Sequence, residues 1–355
     1  MTDMPPTEKR PKTIVLDTGR IDKAPRCTVG LLTWNAGKDG PACVQSLLAQ
    51  TERPLGLVWI DNGSTDGTPD RLAKAFPQIA PACAMGRNTG FCAGHNLGLS
   101  VCETRYYLAL NQDVALAPDY IERLCNWMDE RPDLALISGL ILDGGDPPCV
   151  ASAGLAYPRT RFPYELGMGE STVGRWRGRR LTTGVTGAAM MLRVKACRDV
   201  SQPHSDVFPA DFFAYHEEVD LAQRLARAGL LCGVDGAALA THSGQGSGGL
   251  ATQRIRAGYF ANHWLLTLRN ESWSMMLREL PWLLKGELCH WLPRYVKAPV
   301  AFARGLAKAL IRAFAARQFY RAFEAAHGPT GKRLADTRTE ALKALRQATR
   351  PTDRL

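Results

Sequence analysis

Residues 28–35 read TVGLLTWN and residues 58–68 read VWIDNGSTDGT. Both segments begin as short β-rich or apolar runs and break into polar turn residues. Between them PACVQSLLAQ (41–50) has helical spacing. The run 57–60 is apolar without interruption up to Asp61. A strand of that kind is buried on both faces, which calls for a parallel sheet with helices above and below. The turn signal 61–68 leads into a helix to Phe76 that Asp66 or Thr68 caps. Then follow a short strand near 83–85, a helix over 91–102, a strand over 106–110, a helix over 118–128 and a strand over 134–141. Repeated β-α units predict an α/β, doubly wound, mostly parallel sheet. Its ligands bind beyond the carboxyl ends of the strands, where Asp61 and Asn111-Gln112-Asp113 fall. No G-x-G-x-x-G follows the first strand and no Walker sequence is present, so neither a dinucleotide fold nor a P-loop is supported. The Gly-, Pro- and Arg-rich stretch 143–180 reads as a long loop or insertion.

At 355 residues the chain has room for two domains, or one large α/β domain with an appendage, and 45% hydrophobic against 22% charged residues argues against disorder and against a fibrous repeat. The longest uncharged apolar stretch, 257–268, is too short to span a bilayer and contains Asn262 and His263. Residues 1–26 read as a flexible leader rather than a signal peptide, which predicts a cytoplasmic protein. Ten cysteines without a Cys-x-x-Cys pair read as small buried hydrophobes in a reducing compartment.

The basicity belongs to one end. Residues 251–355 hold 19 Lys and Arg against 7 Asp and Glu, a net of +12, so the remainder of a chain at +10 carries −2. Phe302, Leu306 and Leu310 recur every four residues, with Arg304, Lys308 and Arg312 on the opposite side of the same predicted helix. Nearby Trp282, Trp291 and Tyr295 are residue types that settle at a membrane interface. The segment therefore reads either as a helix packed on the catalytic domain or as a peripheral anchor on an anionic membrane. No nucleic-acid motif accompanies its charge.

Glu217, Glu218 and Asp220 lie together behind Phe208, Phe212 and Phe213. Crowded like charges raise one another's pKa, and an aromatic wall dries the site, which suits a general base. The bland alternative is a helix amino terminus, where acids are favoured by the dipole. Asp113 ends a buried strand, where a carboxylate can hold a divalent cation against a diphosphate or simply serve a turn, and His242, followed by SGQGS, reads either as a second ligand or phosphate donor or as a histidine with no catalytic role.

Seven stretches taken in order, TVGLLTWN (28–35), VWIDNGSTDGT (58–68), NTGFCAGHNLG (88–98), LNQD (110–113), TGAAMML (186–192), FFAYHEEVDLAQR (212–224) and HSGQGS (242–247), resemble the motif series of family 2 glycosyltransferases, which have the GT-A fold. They are most similar to the rhamnosyltransferase-like branch. The resemblance implies a GT-A catalytic domain over 27–250 with a Rossmann-like, mostly parallel sheet, followed by a helical, basic, membrane-interfacial region over 251–355. It implies that Thr33, Asn35 and Asp61 contact the nucleotide and that Asn88, Gly90 and Asn96 line the same pocket. By the same match Asn111 and Asp113 occupy the Asp-x-Asp position, Gly187 and Ala188 lie beneath the donor sugar, and Asp113 with His242 meets Mg2+ or Mn2+. Glu218 matches the catalytic base. Asn111 replaces the first acid of Asp-x-Asp, and Glu218 is one methylene longer than the family's Asp, so Glu217 or Asp220 remains an alternative base.

These matches imply an inverting glycosyltransferase. It would carry a sugar, rhamnose in that branch, from a nucleotide-diphosphate sugar to a hydroxyl of a glycan or polyprenyl-diphosphate-linked acceptor in cell-surface polysaccharide synthesis. It would act at the inner face of the cell membrane, with no nucleic acid as partner. Two other classes compete: a sugar nucleotidyltransferase, whose Gly-rich basic loop TVGLLTWN lacks, and a non-catalytic membrane scaffold, against which the acids at 113, 217, 218 and 220 count.

Overall fold

The computed structural model describes residues 11–16, 24–80, 82–171, 174–201, 206–244 and 252–328. In chain order the first part contains β1 (Ile14–Leu16), β2 (Cys27–Thr33), α1 (Asp39–Leu48), β3 (Leu55–Asp61), α2 (Thr68–Ala75), β4 (Cys83–Ala84) and α3 (Gly90–Ser100). Next come β5 (Tyr106–Asn111), β6 (Val114–Leu116), α4 (Tyr120–Glu130), β7 (Leu134–Asp143), β8 (Val150–Ser152) and the hairpin of β9 (Leu155–Ala156) with β10 (Tyr164–Glu165). Then follow β11 (Arg179–Thr182), β12 (Ala189–Arg193), α5 (Val194–Asp199), α6 (Glu217–Arg227) and β13 (Leu231–His242). The last part is helical: α7 (Gln253–Asn270), α8 (Trp273–Arg278), α9 (Leu280–Gly286), α10 (Leu292–Lys297) and α11 (Pro299–His327).

The central sheet runs β1-β3-β2-β5-β12-β7-β13-β11. β2 is parallel to both β3 and β5, as their continuous apolar runs require. β12 is antiparallel to both β5 and β7, so the sheet is mixed at its centre. Alternate residues serve opposite faces. Leu108 and Leu110 join Val44, Leu47, Leu124 and Met128 of α1 and α4, while Tyr107 and Ala109 join Leu99 of α3 and Leu221 and Leu225 of α6. The second face also takes in Ala261 and Leu265 of α7 and Phe319 and Phe323 of α11, so these C-terminal helices share a core with the sheet.

The helices expected at 41–50, from a cap at Asp66 or Thr68 to Phe76, at 91–102 and at 118–128 are α1 to α4, with ends shifted by a few residues. Inside the stretch read as a leader, Ile14–Leu16 pairs antiparallel with Leu55–Leu57 on the sheet edge; residues 1–10 and 17–23 lie outside the described residues. The reading of 143–180 as a loop is corrected. It carries β8, β9, β10 and the start of β11, and its Arg161 is fully buried against Glu271 at the end of α7, through bonds of 2.7 and 2.6 Å. Eight of the ten cysteines are buried and none is disulfide-bonded; Cys149 is half-buried and Cys289 exposed.

The tail also departs from the sequence reading. Trp291 and Tyr295 are buried with Phe260, and Trp291 stacks on His263 at 3.9 Å, so they are core rather than interface residues. Helix α11 lies on α7 through Ala301, Gly305 and Ala309. A Cβ at Gly305 would stand 2.8 Å from the Ala257 carbonyl oxygen, so only glycine permits that approach. Leu310, Ile311 and Phe314 point outward at 69%, 77% and 71% exposure. Among the described residues no helix is long and apolar enough to cross a membrane.

Removing one partner of a fully buried ion pair strands the other charge, at a cost of about 3–5 kcal/mol. Glu271→Gln is therefore expected to lower the unfolding free energy by about that amount in urea denaturation. Replacing both partners, with Arg161→Met and Glu271→Leu together, restores most of the loss.

Candidate active site

A cavity of about 380 Å³ opens where the strands end. Trp34 beyond β2, Asn62 beyond β3, and Asn111, Gln112 and Asp113 at the end of β5 line one part of it. Gln112 fixes Trp34, accepting from its N–H at 2.6 Å and donating to its carbonyl at 2.9 Å. Asp113 Oδ2 and His242 Nε2 meet at 3.1 Å, because β13 ends beside β6 with His242 opposite Val114. Residues 245–247 of the SGQGS run lie outside the described residues.

Behind the cavity, Asp61 joins two loops. Its carboxylate accepts from Thr33 Oγ1 at 3.0 Å, Ser64 Oγ at 2.6 Å and Ser64 N–H at 2.9 Å. Asn35, in the left-handed region at φ 49°, donates its N–H to Ser64 Oγ and accepts from Thr65 N–H. Thr33, Asn35 and Asp61 thus form the joint beneath the site, and Asn62 is the residue of this group that lines the cavity. The Asn62 amide donates to Asn88 Oδ1 at 3.2 Å and to the Gly90 carbonyl at 3.1 Å, and Asn88 Oδ1 accepts from Gly90 N–H. At Gly90, φ is +89° and a Cβ would stand 2.3 Å from the Phe213 carbonyl oxygen, so a side chain is excluded twice over. Asn96 clamps the Phe208 backbone at 2.9 and 2.8 Å and faces a larger neighbouring cavity instead. Gly187 and Ala188 line the first cavity. A Cβ on Gly187 would have nothing nearer than Phe91 at 3.7 Å and Glu217 at 3.9 Å, so that glycine leaves volume rather than relieving strain.

The acids enter on a strained loop. Phe213, Tyr215 and His216 all have positive φ, at 69°, 73° and 71°, a conformation costing bulky residues of order 1–3 kcal/mol each. The Asn262 side-chain amide holds the loop by donating to the carbonyls of Phe212, Ala214 and Tyr215 at 3.0, 3.1 and 2.9 Å. His216 stacks on Tyr259 at 4.7 Å, and burial pushes its pKa down to about 3, so it is neutral. Glu217 and Glu218, in the first turn of α6, both line the cavity. Glu217 is buried, and burial with the neighbouring Glu218 charge raises its carboxyl well above the usual range. Glu218 is half-buried, and burial pushes it up to about 7. The reading of Asp220 as an alternative base is corrected. Although burial opposes its charge, Arg269 and Arg224 hold its carboxyl down to about 2. Its oxygens are bound by Arg224, Arg269 and Asn270 at 2.8, 3.0 and 2.9 Å, and it does not line the cavity. Of the expected aromatic wall, Phe208 and Phe212 are core, while Phe213 and Phe91 line the site.

Sequence reasoning missed Glu165, Gln112 and Asn262. Glu165, from β10, lines the cavity, accepts from Ser152 Oγ, and is pushed up to about 8 by burial, with the Glu218 charge adding. Nothing in 143–180 marks it. Asn262 had a signal, a carboxamide inside the apolar stretch 257–268.

Among the described residues no group of three or more His, Cys, Asp or Glu could by itself hold a metal ion. The Asp113 carboxylate and the His242 imidazole, 3.1 Å apart, are the pair here that could hold a divalent cation, with its other positions left to ligand oxygens.

Residues 28–200 match glycosyl transferase family 2. The N-acetylglucosaminyl-diphospho-decaprenol L-rhamnosyltransferase of Mycobacterium tuberculosis is 25% identical over 287 residues, which cover 72% of this chain and 88% of that protein. The succinoglycan biosynthesis protein ExoO of Rhizobium meliloti is 30% identical over 115 residues, 32% of each chain. In fold, the chain is similar to the mannosyltransferase PcManGT of Pyrobaculum calidifontis, solved with GDP-Man and Mn2+, at a TM-score of 0.50 and 17% identity over 94% of this chain and 89% of that one. It is similar also to S. aureus TarS, at a TM-score of 0.52 and 13% identity over 92% and 93%.

Asn262→Leu keeps the volume and removes the amide donors. Misplacing a catalytic group by about 1 Å costs about 10²-fold in rate, so kcat is expected to fall by that order while the donor KM stays within a few-fold. A purely structural role would instead lower the folded fraction, read from urea denaturation, and leave kcat per folded molecule unchanged.

Proposed function

From the premise that residues 28–200 belong to glycosyl transferase family 2, we propose that this protein moves a sugar, rhamnose in the first instance, from a nucleoside-diphosphate donor to a hydroxyl of a polyprenyl-diphosphate-linked glycan, inverting the anomeric centre. The observation that carries this reading is the single cavity that collects Asp113, His242, Glu217 and Glu218. Support for the acceptor class comes from the decaprenyl-diphosphate-linked acceptor named for the mycobacterial relative.

Glu218 is the base. A general base works best with a pKa near the operating pH, and Glu218, at about 7, meets that condition. Burial and the neighbouring Glu218 charge raise Glu217 well above the usual carboxyl range, which leaves Glu218 the acid of the pair that ionises more readily. As the acceptor oxygen attacks the anomeric carbon, Glu218 takes its proton, the bond to the diphosphate breaks, and the nucleoside diphosphate leaves. The cavity contains four carboxyl side chains, Asp113, Glu165, Glu217 and Glu218, and no Lys or Arg among its described lining residues, so a bare diphosphate would meet no compensating charge there. Asp113 and His242 would hold a Mg2+ or Mn2+ there, which would supply the compensating charge. Gly187 and Ala188 leave volume for the sugar, and the Asn62–Asn88 pair fixes the wall beside it.

The C-terminal helices would rest on the anionic inner face of the membrane. Trp273, Leu277, Leu280, Leu284, Leu288, Leu292, Val296 and Val300 recur every three or four residues, all exposed, and basic residues stand among them.

Glu218→Gln is expected to cut transfer by about 10² to 10⁴-fold with donor affinity nearly intact, while Asp113→Ala loses metal-dependent nucleotide binding in titration calorimetry. Ionised Glu218 is the active form and its carboxyl is raised to about 7, so kcat/KM should climb with pH below that value and level off above it. A profile that is flat between about pH 5 and 8 rejects Glu218 as the base. Leu277→Glu with Leu284→Glu should abolish co-sedimentation with vesicles containing phosphatidylglycerol.

A further inference from the structure

A second cavity, of about 1060 Å³, adjoins the first and shares Asn88, Phe213, Ala214 and Ile255 with it. Its lining contains Arg87, Arg254, Arg304 and Lys308, opposed by Asp206 and Asp211. Among the described residues none of the four cations forms an ion pair. Arg254 lies over the Phe213 ring at 5.2 Å, and Lys308 donates to Asn262 Oδ1 at 3.2 Å. Four cations against two carboxylates leave the concavity with a net positive charge, so an entering anion gains from them. The contrast with the first cavity, walled by acids, is sharp: the two compartments have opposite sign.

Helix α11 says what else the anion carries. At about 100° per residue, Arg304 and Lys308 fall between the buried face of Ala301, Gly305 and Ala309 and the outward apolar face of Val300, Ile311 and Phe314. Val300, Ile311 and Phe314 are exposed at 54%, 77% and 71%. A ligand whose charged head enters the cavity therefore leaves it over an apolar surface. A free phosphate would use the cations and ignore that surface; an amphiphile uses both.

We infer that this second cavity seats the diphosphate head of the lipid-linked acceptor, with Arg87, Arg254, Arg304 and Lys308 around its charge and its hydrocarbon chain running out along the apolar face of α11. The inference rests on the glycosyl-transfer reading, because the shared wall of Asn88, Phe213, Ala214 and Ile255 puts a sugar attached to that head beside the Glu218 cavity. The cations bind the acceptor before and after transfer alike, so they act on affinity and leave the chemical step to Glu218.

The test uses the full chain and farnesyl diphosphate as the probe, with inorganic pyrophosphate and farnesol as controls, all in titration calorimetry. Arg87 and Arg304 are exposed and stand outside the catalytic cavity, so Arg87→Ala and Arg304→Ala are expected to keep their thermal midpoints and their nucleotide-sugar affinity. Each should weaken farnesyl diphosphate roughly tenfold, the effect of losing one charge-assisted contact, and Arg304→Glu more. Pyrophosphate and farnesol should each bind far more weakly than the probe. Unchanged farnesyl diphosphate affinity in both Arg87→Ala and Arg304→Ala, or pyrophosphate binding as tightly as farnesyl diphosphate, overturns the inference. The two readings fail separately. Loss of probe binding in the arginine variants together with full transfer by Glu218→Gln sinks the catalytic assignment alone, whereas Glu218-dependent transfer with probe affinity indifferent to Arg87 and Arg304 sinks this one alone.

Discussion

One carboxamide holds the catalytic end of the molecule in place. Asn262 reaches from α7 to three carbonyls of a loop in which Phe213, Tyr215 and His216 all sit at positive φ. Such a backbone persists only when its surroundings over-determine it. The burial of Phe212 and His216 supplies part of that, and the Asn262 bonds supply direction. The strain has a structural consequence: the chain turns sharply enough for α6 to begin with two carboxyl groups facing the cavity instead of solvent. Glycine at position 90 is required by the same loop, since the Phe213 carbonyl occupies the space a Cβ would take.

Electrostatics sorts the three acids that α6 presents. Asp220 is the deepest, yet it is the most acidic, because Arg224 and Arg269 are within bonding distance. Glu217 has no such partner, and burial with the neighbouring Glu218 charge raises its carboxyl well above the usual range. Glu218 has partial access to water and sits between those limits. Depth alone does not set the order; the presence of a cation at bonding distance reverses it.

This sorting explains what could be read from the sequence. Apolar continuity in 57–60 and alternation with helical runs gave the parallel half of the sheet, because burial on both faces leaves a mark in composition. β12 carries the same apolar continuity at 188–192, but its direction left no mark: antiparallel insertion between β5 and β7 depends on a connection through 143–180, where Gly, Pro and Arg conceal short strands. Glu165 was invisible for the same reason. The acid cluster at 217–220 was legible as a cluster, but its division of labour was not, since Arg269 and Asn270 arrive from α7, far along the chain. The Trp and Tyr residues of the tail were legible as amphipathic types, and tertiary packing decided which of them face inward.

The segregation of charge along the chain then acquires a spatial meaning. A catalytic part near −2 and a tail at +12 would be an odd arrangement for a helix that merely covers the sheet. Because α11 packs on α7 through Ala301, Gly305 and Ala309, its cationic edge is placed at the second cavity and its large apolar residues are left outside. Lys308 belongs to that edge and also donates to Asn262, so the helix that bears the charge touches the residue that shapes the catalytic loop. An acidic compartment needs a cation before it accepts a diphosphate, whereas a basic one accepts it directly. On the proposed reading, two adjoining cavities of opposite sign would tell apart two substrates that both carry a diphosphate, one presented with a metal ion and one without.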